Sequence, residues 1–384
     1  MKPGWSYKPL PKVLLRVPST KKIKKKEYLD SGKYPIVSQE EGVVNGYWND
    51  ENDLIRLRRP IVIFGDHNQV VKYIDFDFVR GADGTKILDL IPELEPRFFY
   101  YFLLANPIEA IGYARHFRFV KELEVPFPPL EEQRRIVAVL DQAFEGLDRA
   151  RANTQANLNS ARELFENSIH SMLENVSGDE LSLQKMLDRK WILGHLDGNH
   201  GGDYPRKDEF KKSGVPYISA NCVENGKINF GKSKYLSQER ADGLRKGIAQ
   251  NRDVLFAHNA TVGPVAMLKT ELPKVILSTS LTYYRCNLEH VIPEFLFFSL
   301  QSAGFISQYE AVMRQATRNQ VPITKQRTFS HKIPKLSDQK NIAQRGLKIK
   351  ASTDKLISQY SKKMKCLDQS RQSLLAKAFA GELT

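Results

Sequence analysis

The feature that most constrains the fold is a motif that occurs twice, each time at the start of a long helical pattern. The first copy runs from Pro128 to Ile136, and the second runs from Ile333 to Ile342. Proline, leucine, glutamine and isoleucine align between them without a gap. A repeat of about 200 residues is too long for a solenoid and fits a duplicated domain followed by a helix.

The helical patterns have coiled-coil spacing. In residues 131–175 and 337–380, apolar residues recur every three or four positions, and Thr154 and Thr353 fall within the seam. Each arm spans about 65 Å at the helical rise. Two arms of similar length in one chain most simply pair with each other. We expect an antiparallel pair with a pseudo-twofold axis. The seam positions are Ile136, Leu140, Ala143, Leu147, Leu158, Ala161, Phe165 and Met172, then Ile342, Ile349, Leu356, Tyr360, Leu367, Leu374 and Ala378.

The remaining segments predict two similar globular domains of mixed α/β type. Residues 1–127 contain short β-branched strands at 61–64, 70–76 and 86–90, followed by a proline-initiated aromatic helix from Pro96. Residues 179–333 repeat this order, with their aromatic helix starting at Pro293. The aromatic blocks are expected to be core. The predicted organisation is therefore domain 1–127, helical arm 128–178, domain 179–333 and helical arm 334–384.

The charge of the chain points to a polyanionic partner. The formal net charge is +14, and residues 1–30 carry nine Lys/Arg, including Lys21 and Lys22, against two acidic residues. Residues 311–335 carry six basic residues and no acidic one. Surfaces this basic favour nucleic acid, although a single charge run is more often solvated surface. No apolar run is long enough to cross a membrane, and three scattered cysteines favour a reducing cytoplasm.

Catalytic machinery is not recognisable. The sequence has neither dinucleotide- nor nucleotide-binding glycine motifs, no amino-methyltransferase motif and no clear nuclease cluster. No His/Cys group has metal-ligand spacing, so no metal site is predicted. These features favour a protein without its own catalytic site.

Polar clusters follow matched strands in the two domains. His67, Asn68 and Gln69 follow the first strand of one, and His258, Asn259 and Thr261 follow its counterpart. Amide side chains read base edges, adenine especially, but the same residues also stabilise turns. Both interpretations stay open.

Further candidate DNA contacts are basic or glycine-rich. The stretch 198–207 could approach a phosphate backbone or serve as a flexible linker. Arginines lie between each aromatic helix and the following arm, and arginine is a common guanine and phosphate ligand. The candidates are Asn199, His200, Arg206, Lys207, Arg115, Arg118, Arg314, Gln315, Arg318 and Asn319.

These motifs resemble the specificity (S) subunits of Type I restriction–modification systems over essentially the full chain. The segment Pro128–Val137 is similar to the entry into the family's first spacer helix, and Ile333–Gln339 is a looser copy. Phe64–His67 with Gly81–Gly84 looks like part of a target-recognition domain, as do Val215–Ser219 and Pro293–Leu296. The second helix entry departs from the first, with Ser337-Asp338 in place of Glu131-Glu132.

The resemblance implies two target-recognition domains that each read half of a split DNA target, with the paired helices as a ruler. Two modification subunits carrying S-adenosylmethionine would dock on the arms, and restriction subunits using ATP and Mg²⁺ would join them. The chain itself would bind no cofactor. Alternatives are a sequence-nonspecific architectural coiled-coil protein, or a DNA methyltransferase or nuclease with an unrecognised site. The docking helices would present Gln133, Ile136, Leu140, Gln339 and Ile342.

Overall fold

The computed structural model describes residues 4–17, 20–109, 114–315 and 318–383. The chain divides into a first unit, Met1–Ala156 with Tyr360–Thr384, and a second unit, Asn157–Gln359. Each unit therefore contains a globular part and sections of both long helices. The boundaries between units fall inside those helices, whereas the domain boundaries predicted from the sequence lie at the helix ends.

The globular part of the first unit is built mainly from short strands. The predicted strands at 61–64, 70–76 and 86–90 are present as β5, β6 and β8, and the predicted aromatic helix is α2. The elements are β1 Ser6–Pro9, α1 Leu10–Val13, β2 Tyr34–Val37, β3 Gly46–Trp48, β4 Leu54–Ile55, β5 Ile61–Gly65, β6 Val71–Ile74, β7 Phe78–Arg80, β8 Thr85–Leu88, α2 Pro96–Ala105, α3 Phe117–Val120 and β9 Glu124–Phe127, followed by the long helix α4 Leu130–Glu174.

The strands of the first unit form two small sheets and a ribbon. One sheet has the order β6-β5-β8, with the fully buried β5 antiparallel to both neighbours. The other has the order β3-β2-β7-β4 and contains a parallel pair, β2 with β7. The antiparallel ribbon β1-β9 leads into α4.

The second unit repeats this element order. Its elements are β10 Asp179–Ser182, α5 Leu183–Asp188, β11 Ile192–Asp197, β12 Val215–Ile218, β13 Val223–Glu224, β14 Lys227–Ile228, β15 Lys234–Leu236, α6 Gln238–Asp242, β16 Ile248–Ala249, β17 Val254–Asn259, β18 Thr261–Met267, β19 Val275–Leu277, β20 Leu281–Cys286, α7 Pro293–Ser299, α8 Ala303–Arg314, α9 Ile323–Gln326 and β21 Ser330–Ile333, followed by the long helix α10 Leu336–Ala380.

Sheet topology confirms the internal repeat. The sheet β15-β12-β19-β16 matches β3-β2-β7-β4, including its single parallel pair, β12 with β19. The sheet β11-β20-β17-β18 matches β6-β5-β8 with one added edge strand, β11. The ribbon β10-β21 leads into α10 as β1-β9 leads into α4. Such agreement in strand order and direction indicates a duplicated architecture.

The aromatic helices form the cores of both units. Phe98 and Phe99 of α2 are fully buried beside β5, as are Phe295 and Phe298 of α7 beside β17. Their rings pack against aliphatic and aromatic neighbours, which is the core role predicted for them. Proline at the first position of each helix has no N–H to satisfy and begins the helix without cost.

The long helices pair antiparallel within each unit. In the first unit Asp148 pairs with Arg371 and Arg151 pairs with Asp368, so the partner number falls as the chain advances. In the second unit Lys350 lies 5.8 Å from the centroid of the Phe165 ring, and Ile342 lines the same groove as Met172. The predicted seam threonines, Thr154 and Thr353, are both buried. In the residues that the structure describes, no helix is long and apolar enough to cross a membrane.

Candidate nucleic-acid interface

In the first unit, a buried aspartate joins two of the predicted DNA-contacting segments. Strand β5 ends at Gly65, and Asp66 follows it at 2% exposure. Its carbonyl oxygen accepts a hydrogen bond from the backbone N–H of His116 (2.8 Å), and its carboxylate accepts one from that of Phe117 (2.9 Å). The loop Asp66–Gln69, which we call the strand-end loop of this unit, is thereby held against Arg115–Arg118, the basic segment.

The charge of Asp66 is stabilised in this position. Burial by itself raises the pKa of the carboxyl group, but the Phe117 N–H and the Lys86 ammonium, 3.1 Å away, outweigh that effect. The pKa of Asp66 therefore lies below its ordinary value, and the side chain is a carboxylate at neutral pH. A charged, hydrogen-bonded anchor fixes the basic segment more firmly than a neutral acid would.

The predicted DNA-contacting side chains of the first unit differ in exposure and in hydrogen bonding. Arg115 and Arg118 are exposed, and Arg118 stacks over the Phe119 ring at 4.5 Å. Asn68 is exposed, but its amide donates to the Gln39 carbonyl oxygen and accepts from the Val70 N–H (3.2 Å). Its polar atoms therefore stabilise the turn, which is the alternative that the sequence left open.

His67 and Gln69 also take part in the turn of this loop. Gln69 adopts a φ of 61°, a left-handed conformation that occurs in tight turns. The backbone N–H of His67 donates to the Gln39 side chain (3.2 Å). Both side chains are partly exposed, so each remains at the surface of the loop that Asp66 attaches to the basic segment.

The second unit brings the equivalent segments together. Its strand-end loop, His258–Thr261, forms the tip of the β17-β18 hairpin, with Ala260 at a φ of 64°. The Ala260 N–H donates to the Asn319 carbonyl oxygen (2.9 Å), and the Val321 N–H donates to the His258 carbonyl oxygen (2.8 Å). The basic segment of this unit, 314–320, is thus attached to the hairpin tip by main-chain hydrogen bonds; Ala316 and Thr317 lie outside the described residues.

Most of the predicted contacts in the second unit are exposed. Arg314 has 80% of its side chain exposed and lies 3.6 Å from Glu310, a surface pair that a phosphate can replace at little cost. Asn259 is partly exposed, and it pairs with Gln320 through a β-bridge. The other exposed predicted residues of this surface are Thr261, Gln315, Arg318 and Asn319.

His258 cannot contact DNA in this structure, contrary to the sequence-based hypothesis. It is 1% exposed, and its Nδ1 lies 3.0 Å from the Val321 carbonyl oxygen. Burial lowers the pKa of the imidazole, because the charged form would be poorly solvated there. His258 therefore serves as a neutral interior residue that supports the hairpin tip.

Asn199 is likewise an interior residue. It is 2% exposed, and its amide donates to the Lys246 carbonyl oxygen (2.7 Å) and accepts from the Lys246 N–H (3.2 Å). Both hydrogen-bonding groups of the side chain are therefore occupied, and the stretch is anchored here. A Cβ at the preceding Gly198 would lie 2.3 Å from the Ser278 carbonyl carbon, so only glycine fits this close approach.

The remaining basic candidates are at the surface. His200 is exposed and lies 2.7 Å from the Asp197 carboxylate, while Arg206 and Lys207 are exposed at a short 3₁₀ turn. Lys21 and Lys22 are exposed in the first unit, and the Lys21 ammonium lies 5.0 Å from the Trp48 ring centroid. Their exposure makes these side chains accessible to a polyanion, although His200 and Lys21 also lie close to the carboxylates of Asp197 and Asp53.

The repeated motif has a structural function that the sequence did not reveal. Gln133 is fully buried; its amide accepts from the Glu95 N–H (2.8 Å) and donates to the carbonyl oxygens of Glu93 (3.0 Å) and Pro128 (2.9 Å). We call this arrangement the glutamine clamp. It ties the start of α4 to the loop that precedes the aromatic helix.

The second unit contains a second glutamine clamp. Gln339 accepts from the Ile292 N–H and donates to the carbonyl oxygens of His290 and Pro334, each at 2.8 Å. The recurring glutamine in the motif was the available signal, but two of the three partners of each glutamine lie 38–49 residues upstream, beyond the reach of local sequence patterns.

These contacts correct one expectation about the motif residues. Gln133, Ile136, Leu140, Gln339 and Ile342 are all buried within their own units, so none of these side chains forms an exposed docking surface. The apolar ones belong to the cores. That the helices bind partner subunits stays a prediction, and exposed positions would have to carry it.

The metal-ligating and thiol side chains of the described residues are dispersed. Within those ranges no group of three or more His, Cys, Asp or Glu residues is placed to hold a metal ion. The three cysteines are free, with Cys222 and Cys286 buried and Cys366 exposed. The chemistry that the surfaces offer is hydrogen bonding and positive charge.

Comparison with known proteins identifies the family. A family model described as the Type I restriction modification DNA specificity domain matches residues 13–159 and 193–362. Over 331 residues the chain is 21% identical to the Type I restriction enzyme EcoR124I/EcoR124II specificity subunit of Escherichia coli, covering 81% of this chain and 78% of that protein. It is 20% identical over 372 residues to the EcoBI specificity subunit of Escherichia coli, covering 89% and 76%.

A solved structure shows the same fold. The matching chain comes from a structure concerned with complex assembly and conformational transition of the type I R-M system; it aligns with a TM-score of 0.70 at 16% identity, covering 100% of this chain and 99% of that one. The family model matches each half of the chain once, in agreement with the duplicated architecture. The chain therefore belongs to the specificity (S) subunit family of Type I restriction–modification systems.

Proposed function

We propose that each unit of this S subunit binds one half of a bipartite DNA target, through the surface where its strand-end loop meets its basic segment. The observation that carries the proposal is the recurrence of this juxtaposition in both units. Asp66 holds His116 and Phe117 in one, and the β17-β18 hairpin tip holds Asn319 and Val321 in the other. Local stability of the turn does not explain why a basic segment is attached to the strand-end loop in both units.

The exposed side chains supply the chemistry of such binding. Arg115 and Arg118 in the first unit, and Arg314 and Arg318 in the second, can donate two parallel hydrogen bonds to a guanine edge or to a phosphate. In the second unit, the exposed Thr261 lies at the hairpin tip and can contact a base edge or a thymine methyl group.

Partner subunits complete the proposed activity. We infer that two modification subunits bind the long helices, and that restriction subunits join this assembly. Exposed apolar residues support the helices as docking elements: Val139 and Leu164 on α4 are 41% and 61% exposed, and Leu347 on α10 is 40% exposed. S-adenosylmethionine, ATP and Mg²⁺ would be bound by the partners, and this chain would choose where the chemistry occurs.

The decisive test is modified-base sequencing of DNA from cells that express the modification subunits with and without this chain. We expect adenine methylation at one split motif that disappears when the chain is omitted. Methylation that is independent of the chain, or that follows a continuous motif, would contradict the proposal. Methylation by the purified chain alone would instead establish an enzyme.

A binding experiment then tests each interface separately. On a duplex carrying the motif so identified, the double variant Arg314→Gln/Arg318→Gln should weaken binding, and Arg115→Gln/Arg118→Gln should do the same. Each lost phosphate contact lowers the slope of log affinity against log salt by about 0.9, whereas a lost guanine contact costs about 1–3 kcal/mol at one base pair. Arg162→Gln, an exposed arginine on α4, is the matched control. Unchanged affinity and slope would remove that basic segment from the interface.

A further inference from the structure

An arginine-lined pocket lies in the first unit, away from the strand-end loop. It has a volume of about 680 Å³ and is lined by Arg16, Arg56, Arg58 and Arg59. Ile61, the first residue of β5, contributes to its wall, whereas the strand-end loop follows Gly65 at the other end of β5. The strand places the two sites roughly 13 Å apart along its axis. The pocket is therefore separate from the proposed base-reading surface.

The charges in this pocket are incompletely balanced. Arg56 pairs with Glu51, and the Arg59 Nη2 lies 3.9 Å from the Asp89 carboxylate, which also lines the pocket. Arg16 and Arg58 form no ion pair with any residue in the described ranges. Among the described residues, the pocket thus offers two guanidinium groups that form no ion pair.

One of the paired guanidinium groups also has unused hydrogen-bonding capacity. The Arg59 Nη2 is buried and has no hydrogen-bond partner among the residues that the structure describes. A buried N–H group without a partner costs free energy, and a ligand oxygen in the pocket would recover that cost.

The wall behind the arginines is apolar and well anchored. Leu54, Leu57, Ile61 and Ile87 line it. The connection that carries three of the arginines is tethered, because the Leu57 N–H donates to the Asp77 carboxylate (2.7 Å). Anchored arginines against an apolar wall lose less freedom on binding than arginines of a mobile loop.

We propose that this pocket binds a phosphate-bearing ligand, whose oxygens accept hydrogen bonds from Arg16, Arg58 and Arg59. Two uncompensated guanidinium groups match the charge of a phosphate better than that of a single carboxylate, and the planar guanidinium fork suits phosphate oxygens. The volume is that of a small-molecule site. The phosphate belongs either to the DNA backbone or to a free ligand such as a nucleotide. The DNA case rests on the proposed function, and the free-ligand case does not.

The test uses the full chain with two probes. Inorganic pyrophosphate is titrated by calorimetry, and binding of a duplex lacking the target motif is followed by fluorescence anisotropy across a salt series. The variant is Arg16→Gln/Arg58→Gln, at two exposed positions. The control is Lys33→Gln, another exposed cation of the first unit that does not line the pocket. Circular dichroism checks that both fold, and Arg58→Lys keeps the charge without the fork.

If the ligand is a free phosphate, wild type binds pyrophosphate and the double variant binds it at least ten-fold more weakly, with the DNA salt slope unchanged. If the ligand is the DNA backbone, the salt slope of the double variant falls by about one to two relative to Lys33→Gln. The proposal is overturned when the double variant matches Lys33→Gln in both assays, or when wild type binds neither probe. Failure of wild type to bind this non-target duplex, with pyrophosphate binding intact, assigns the pocket to a free phosphate ligand and leaves the proposed function to be decided by modified-base sequencing.

Discussion

The two glutamine clamps lead to a prediction that can be tested separately in each unit. Replacing Gln133 by leucine keeps the size of the side chain and removes all three of its hydrogen bonds, to Glu95, Glu93 and Pro128. The three main-chain groups are left inside the first unit without their partner. We expect a loss of stability with no change in the helix itself, since leucine is a good helix former.

The magnitude follows from the burial of these groups. The Pro128 carbonyl bond is buried, while the bonds to Glu93 and Glu95 are part-buried, so water can partly replace the latter two. An unsatisfied buried group costs about 1–3 kcal/mol, and a part-buried one about 1 kcal/mol. The free energy of unfolding of the first unit should therefore fall by about 3–5 kcal/mol. Gln339→Leu should cost the second unit a similar amount, because its bonds have the same pattern.

Amide hydrogen exchange is the appropriate assay, because it reports each unit separately. The N–H of Glu95 in Gln133→Leu, and of Ile292 in Gln339→Leu, should exchange at least ten-fold faster, and urea unfolding should give the change in free energy. Gln142→Leu and Gln344→Leu are matched controls, since both residues are exposed on the same helices. If the clamp variants fall within about 0.5 kcal/mol of these controls, the clamp contributes no net stability and the reasoning is refuted.

Further predictions concern pH, packing and spacing. Burial lowers the pKa of His331 to about 4 and that of His195 to about 3, so the unfolded chain binds protons that the folded second unit excludes as pH falls below about 6.5. The free energy of unfolding, which has its full value above that pH, should decline by about 2 kcal/mol per histidine by pH 5. Urea unfolding of His331→Phe should depend less on pH than that of the wild type, and an identical pH dependence would contradict this explanation. Gly346→Ala should destabilise by about 1–3 kcal/mol, because its Cβ would lie 2.5 Å from the Phe298 ring. Gly146→Ala, whose Cβ would have no atom within 4 Å, should instead stabilise the protein. Equal changes in melting temperature for the two variants would refute this contrast. Inserting one heptad into both long helices should change the spacing between methylated half-sites and leave each half-site sequence intact; unchanged spacing in modified-base sequencing would refute the role of the helices as a ruler.

Patterns that depend on local chemistry could be predicted from the sequence. The run Ile61–Phe64 is apolar and β-branched, and it forms the fully buried β5. Pro96 and Pro293 begin helices because proline suits the first helical position. The long helices were predictable because their apolar spacing extends over many turns, which makes the helical period unambiguous.

The site was less predictable, because it depends on contacts between distant parts of the chain. The sequence around Asn199 is typical of a surface loop, yet the Lys246 main chain forms hydrogen bonds with both groups of the Asn199 amide. The sequence predicts that His258 contacts DNA bases from a loop, but the residue is buried and bonded to the Val321 carbonyl oxygen. The meeting of Asp66 with His116 had no local signal either, since only the folded sheet brings those positions together.

The way in which the basic segments are attached has a consequence for the evolution of target choice. Most of the hydrogen bonds that attach the basic segments are between main-chain groups. The Ala260 N–H donates to the Asn319 carbonyl oxygen, and the His116 N–H donates to the Asp66 carbonyl oxygen. Main-chain hydrogen bonds form with almost any side chain at those positions. Exposed residues such as Thr261 and Arg318 can therefore be exchanged without loosening the frame that presents them. Under the proposed function, a subunit built in this way can acquire a new recognition sequence by surface substitutions alone, while its long helices stay unchanged.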